Sequence, residues 1–145
     1  MEEAKTTIII GKEYAQLVIP LIKNSKKSIK IIVYNWLWYP TETGSKIQNF
    51  NNAIIQAHKK GVEVKVVVQK MQIAEILRQE KIKVRRIESS KVLHIKLMLI
   101  DEKIAIIGSH NYTMNAFNIN YEISAIIQEA AAVKKLNDYF QNFFY

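Results

Sequence analysis

Seven short runs rich in β-branched residues alternate along this chain with segments whose apolar residues fall at helical spacing, and few architectures accept that order. Strand patterns cover residues 6–10, 28–38, 62–69, 83–87, 94–100, 104–107 and 121–128. Helix patterns cover 13–27, 45–60, 72–81 and 130 to the C-terminus. Ser45 is placed to cap the second helix and Gly61 to stop it. Strands interleaved with helices predict an α/β sandwich, a mixed sheet with helices on both faces. The chain has 145 residues and no Pro-, Gly- or Ser-rich tract that would serve as a linker, so residues 1–145 read as a single domain.

With 49% apolar residues the chain can bury an ordinary core. It has no cysteine, which excludes disulfides and thiolate metal sites. No apolar run approaches the roughly 20 residues of a membrane span. The N-terminus carries acids where a secretory leader would carry bases. The expectation is therefore a chain without stable membrane insertion, cytoplasmic as given, or periplasmic or secreted if a leader has been removed. The net charge is +8, and the stretch from Lys59 to Lys96 holds eleven Lys and Arg against four acids. Such a concentration predicts a basic face suited to nucleic acid or anionic headgroups.

Residues 94–111 carry the chemistry. His94 and Lys96 stand two apart in a strand pattern, which puts both on one face. Asp101 follows after four residues in a predicted turn, and Gly108-Ser109-x-Asn111 after six more, at the end of the return strand. Packing does not call for six polar or special residues at fixed offsets within apolar strands. Phosphodiester cleavage does: imidazole is a competent nucleophile toward phosphorus and a good leaving group. Lys96 supplies a fixed positive charge and Asn111 an amide donor for the non-bridging oxygens, and losing one such donor costs about 10²–10³ in rate. Ser109 adds a hydroxyl and its own backbone N–H, and Gly108 allows close backbone approach.

These residues, read as HxKx4Dx6GSxN, resemble the HKD signature of the phospholipase D superfamily at every specified position. The resemblance implies that His94 forms a covalent phosphohistidine and that Lys96 and Asn111 bind phosphate. An acid on the following strand commonly orients the histidine in this family, and Glu122 sits where that residue is expected. Asp101 is kept among the catalytic candidates, although its role in the family looks more structural. No cofactor or metal is expected, because Lys96 and Asn111 do the charge stabilisation a metal would otherwise do, and no carboxylate or histidine cluster suits an ion.

The motif occurs once. In-line displacement needs a nucleophile and a leaving-group acid on opposite sides of phosphorus, and one histidine cannot be both at once. Of the remaining histidines, His58 falls on a predicted helix surface, and strand alternation points His110 away from Ser109 and Asn111. A homodimer with His94 of both chains at one site is therefore expected.

The substrate is less constrained. Period-two spacing puts Tyr34, Trp36 and Trp38 on one face of a strand, and Trp38 and Tyr39, beside Pro40, are candidates to line the entrance and stack on bases. The leading reading is a metal-independent nuclease or phosphodiesterase acting on DNA or RNA, because small single-motif relatives include bacterial endonucleases. The alternatives are a phosphodiesterase of phosphatidyl or cardiolipin-type lipids, and a nucleic-acid-binding module without catalysis.

Overall fold

In the computed structural model, which describes residues 5–145, seven strands form one mixed sheet. In chain order the elements are β1 (Thr6–Ile10), α1 (Glu13–Lys23), β2 (Ser28–Val33), α2 (Lys46–Lys59), β3 (Glu63–Val68), α3 (Met71–Gln79), β4 (Lys83–Arg86), β5 (Lys96–Ile100), β6 (Ile104–Gly108), α4 (Met114–Asn118), β7 (Ile123–Ile127) and α5 (Ala130–Phe144). The sheet order is β1-β7-β6-β5-β2-β3-β4. The pairs β2–β3 and β3–β4 are parallel, each joined through a helix, and the remaining pairs are antiparallel.

Strand alternation divides the core into two layers. Ile29, Ile31 and Val33 of β2 pack with residues of α1, α2, α3 and α4, among them Val18, Phe50, Leu77 and Phe117. Ile32, Leu97 and Leu99 face the other way, where α5 covers them with Val133 and Phe140. Each such side chain contributes about 1.5–3 kcal/mol on burial. Helices thus cover both faces, as the alternation predicts, with α5 alone on one of them. Lys30 of β2 points into that α5 layer, where its ammonium donates to Glu102 Oε1 and Asn137 Oδ1, both at 2.7 Å. A lysine so deeply buried is tolerated because its charge is paired. Among the described residues no helix is long and apolar enough to cross a membrane.

Three elements differ from the sequence pattern. The first helix ends at Lys23, where the Ser25 hydroxyl donates to Ile22 O at 2.6 Å and satisfies a carbonyl freed at the helix end. The second strand ends at Val33 instead of continuing to Trp38, because Trp36 is drawn into the core and donates from Nε1 to Asn51 Oδ1 at 2.7 Å. The fifth strand begins at Lys96, so His94 stands on the segment that enters it. α4 has only five residues and gives no periodic signal; Thr113 Oγ1 accepts from Ala116 N at its start.

Candidate active site

Five chain segments meet at one end of the sheet. Val33, the last residue of β2, pairs with Lys96, the first of β5. Gly108, the last of β6, pairs with Ser124, next to the start of β7. β3 runs parallel to β2 and ends beside it, at Val68. The residues just beyond these ends are Tyr34 and Asn35, Ser109 to Asn111, Glu122, Gln69 and Lys70, with His94 just before β5. The carboxyl ends of adjacent parallel strands are a recurrent place for a site in an open α/β sheet.

His94 is exposed, and the Lys96 ammonium lies 3.1 Å from its Nδ1. The Tyr34 ring supports both, 5.1 Å from the imidazole centroid and 5.8 Å from Lys96 Nζ. Burial holds the Lys96 ammonium below the ordinary lysine value, and the Glu122 carboxylate partly offsets this. Asn111 is oriented by the Asn35 backbone N–H, which donates to its Oδ1 at 3.1 Å. A backbone N–H can only donate, so the carboxamide oxygen must face it, and the NH₂ group is left for a ligand. His94, Lys96 and Ser109 line a cavity of about 440 Å³ whose apolar wall includes Leu136 and Tyr139 of α5.

Ser109 and Glu122 are placed differently from the expectation. The Ser109 backbone N–H donates to Ile123 O at 3.0 Å, and its hydroxyl donates to Glu122 and accepts from Ile123 N at 3.0 Å. Both donors of Ser109 are therefore engaged in joining β6 to β7. Glu122 accepts from Ser109 and from Asn120 Nδ2 at 3.1 Å, not from His94. It reaches the site through Ser109 and through its field on Lys96.

Asp101 is not part of this end of the sheet. It lies in the β5–β6 turn, with φ of 55° at both Asp101 and Glu102, the two-residue geometry that matches strand twist. Its carboxylate accepts from the backbone N–H groups of Lys26 (3.0 Å), Lys27 (2.7 Å) and Ser28 (3.1 Å). The role is structural, and its place among the catalytic candidates is corrected accordingly. Burial pushes its pKa up, but the three N–H groups outweigh that and the net shift is downward. A carboxyl with a depressed folded pKa contributes stability above its unfolded value of about 3.9, and that contribution is lost as pH falls through the folded value. Asp101→Ala is expected to lower unfolding free energy by about 2 kcal/mol at pH 7, from unmet N–H groups and a positive φ that Ala resists. Asp101→Asn retains roughly half, and the gap between parent and D101A narrows below about pH 4. Chemical denaturation at pH 3 and pH 7 checks both; an equal gap at the two pH values would contradict the assignment.

Trp38 and Tyr39 do not line the entrance. Trp38 packs half-buried against the core, 6.1 Å from the Trp36 ring, and the Tyr39 hydroxyl accepts from Met114 N at 3.1 Å. The aromatic residues that do flank His94 are Tyr34 and Tyr139. His110 is buried, with Nδ1 2.7 Å from Ser124 Oγ and Nε2 2.8 Å from Gly11 O. A carbonyl only accepts, so Nε2 carries the proton and Nδ1 accepts from the serine. Burial holds the His110 pKa below the usual range despite the Gly11 bond. It is a structural imidazole, directed away from the phosphate site.

The basic stretch is not one face either. Lys65 is covered by α5 and bonded to Tyr145 OH, Lys83 pairs with Glu63, and Arg86 with Glu88. Lys59, Lys60 and Lys81 sit at the far end of β3 from His94. Lys70, Lys91 and Lys96 are the ones at the site end.

Two residues overlooked in the sequence complete the arrangement. The Gln69 carboxamide donates to Ser89 O (3.3 Å) and Lys91 O (2.8 Å) and accepts from Leu93 N (2.9 Å), so one side chain holds the segment that delivers His94. Lys70 Nζ donates to Asn35 Oδ1 at 3.0 Å and stands 4.7 Å over the Tyr34 ring. Their position directly after a β-branched strand is the signal that could have found them. Among the described residues no group of three His, Cys, Asp or Glu side chains is placed to hold a metal ion.

A mixed seven-stranded sheet with a complete His-x-Lys and Gly-Ser-x-Asn set at one end defines a phosphodiesterase of the phospholipase D superfamily, of the small single-motif type. Residues 18–144 match the family described as "Cardiolipin synthase, PLD-like domain", and the chain belongs to that family. The fold is shared with NucT from Helicobacter pylori, at a TM-score of 0.81 and 21% identity, covering 97% of this chain and 96% of that one. It is shared equally with Nuc from Salmonella typhimurium, a phospholipase D family member, at 0.82 and 22%, covering 97% and 94%. In sequence, the chain is 27% identical over 139 residues to the probable cardiolipin synthase YwiE of Bacillus subtilis, and covers 26% of that protein's length. With cardiolipin synthase 1 of Bacillus anthracis it shares 36% identity over 52 residues, 10% of that protein.

Proposed function

We propose that this phosphodiesterase is a metal-independent nuclease that cleaves DNA or RNA through a phosphohistidine, with an active site completed by a second copy of the chain. The observation that carries the reading is the exposed His94 imidazole held against the Lys96 ammonium, beside an Asn111 amide whose free face is NH₂. A His94 nitrogen attacks phosphorus as the bond to the leaving oxygen breaks. The partner's His94 protonates that oxygen, then takes a proton from the water that cleaves the P–N bond and frees the first histidine. Lys96 and Asn111 hold the non-bridging oxygens throughout.

The surface next to the site supports the second copy. Ile10 and Ile123, paired between β1 and β7, are 60% and 62% exposed, and Ile119 and Tyr121 extend the patch. It borders Ser109 and Glu122 across a cavity of about 420 Å³. Contiguous exposed apolar residues of this kind mark interaction surfaces, and a twofold partner seated here brings a second imidazole to the same phosphate. The nucleic-acid reading is further supported by the size of the two fold neighbours: this chain covers almost their whole length, but only a small part of the curated synthases.

The test is cleavage of labelled single- and double-stranded DNA and RNA in excess EDTA, with sedimentation of the parent and of Tyr121→Asp. Cleavage by a dimeric parent and its loss in a monomeric Tyr121→Asp are expected. A fully active monomer would sink the shared site. The second reading, phosphatidyl hydrolysis or transfer on cardiolipin-type lipids, is favoured by the family match and by the named synthases. Turnover of phosphatidylglycerol vesicles without cleavage of any nucleic acid would select it.

A further inference from the structure

We infer that Lys70 binds the phosphate next to the scissile one, so that the site is built for a strand carrying successive phosphodiesters; this rests on the nuclease reading above. Lys70 and Lys96 come from different strand ends, yet their ammonium groups stand on the same Tyr34 ring, 4.7 and 5.8 Å from its centroid. Neither forms an ion pair with a carboxylate among the described residues, although five other Lys or Arg side chains do. Two unneutralised cations held close together repel each other, and an anion between or across them relieves that. The ring face attracts both and fixes their spacing.

Lys70 is also tied to the phosphate-binding amide. Its Nζ donates to Asn35 Oδ1 at 3.0 Å, and the Asn35 N–H orients Asn111 at 3.1 Å. An ammonium has three donors, and one is used here, leaving two for a ligand. Lys96 is committed to the reacting phosphate by its contact with His94. Lys70 makes no contact with His94, so its charge serves an anionic group displaced from the reacting one. A single-phosphate substrate has nothing to place there, whereas a nucleic acid strand has its next phosphodiester.

The experiment measures binding of a single-stranded oligonucleotide in the His94→Ala background, as a function of salt, with Lys70, Lys70→Met and Lys70→Arg. One lost phosphate contact is expected to reduce the slope of log K against log salt by about 0.7 and to weaken binding about fivefold at 0.1 M salt. Lys70→Arg keeps the charge and is expected to keep the slope. With His94 intact, Lys70→Met is expected to raise KM for the oligonucleotide more than kcat falls, and to impair the oligonucleotide more than bis(p-nitrophenyl) phosphate, which has one phosphate. A role limited to holding Asn35 would instead lower kcat equally on both substrates, and that result overturns the proposal. Oligonucleotide binding with an unchanged salt slope overturns it as well, leaving the nuclease reading intact. No oligonucleotide binding with Lys70 present, together with no cleavage by the parent, overturns both.

Discussion

His94→Ala is expected to reduce phosphodiester cleavage by about 10⁴-fold or more, a loss of at least roughly 5 kcal/mol of transition-state stabilisation, while substrate binding persists. The variant removes the one group that can form the covalent intermediate. It leaves Lys96 and Asn111, whose positions depend on Tyr34 and Asn35 and not on the imidazole. The exposed position of His94 means that truncation opens no cavity in the core. A binding module without catalysis would show the same affinity for both proteins and no turnover by either.

The same variant tests whether one site needs two chains. If parent and His94→Ala chains are mixed in equal amounts and reassort at random, about a quarter of the dimers carry both histidines. Activity is then expected to fall to about a quarter of that of the same number of all-parent dimers. If each chain worked alone, half would remain. A leaving group that needs no proton, such as p-nitrophenolate, gives a second readout. Mixed dimers should release one burst through the single His94 and then stall, because no second imidazole activates water against the P–N bond. Steady turnover by mixed dimers equal to that of the parent would remove the partner's His94 from the mechanism.

What could be read in advance, and what could not, follows from how far apart in sequence each group lies from its neighbours. His94, Lys96, Ser109 and Asn111 belong to one hairpin whose register is set by the two-residue turn at Asp101-Glu102. Local spacing is therefore enough to bring them together, and residue chemistry is enough to name them. Tyr34, Asn35, Gln69 and Lys70 reach the site only because β2 pairs with β5 and β3 with β2. No local pattern states that register, so these residues were overlooked or, for Tyr34, noticed and placed by the wrong logic. Period-two spacing was carried past Val33 to Trp38, but the chain leaves the sheet where Trp36 Nε1 finds Asn51. A buried indole N–H needs an acceptor, and this need overrode the strand pattern. The basic stretch failed for a related reason: charge density along a sequence says nothing about which strand end each residue occupies, and Lys65 went under α5.

Gly108→Ala is expected to damage the fold and the site together. Gly108 pairs with Ser124, and a Cβ added there would overlap Ser124 Oγ and Cα and lie 2.5 Å from its Cβ. Contact with a backbone atom cannot be relieved by a rotamer change, so β6 and β7 must part. The Ser124 hydroxyl is the donor to His110 Nδ1, and His110 Nε2 in turn donates to Gly11 O. Displacing Ser124 therefore loosens the buried imidazole and the start of α1 with it. Overpacking of this kind costs about 3 kcal/mol, or roughly 10 °C in Tm for a chain of this size. Ser109 and Asn111 follow Gly108 directly, so activity should fall further than stability alone explains. Ser124→Gly added to Gly108→Ala separates the causes, because it removes the Oγ and Cβ contacts but not the Cα. Little recovery of Tm is expected from the double variant. Full recovery would mean that the conflict lies in the serine side chain, and that Gly108 serves the hydroxyl's access to His110 and not the approach of the two strands.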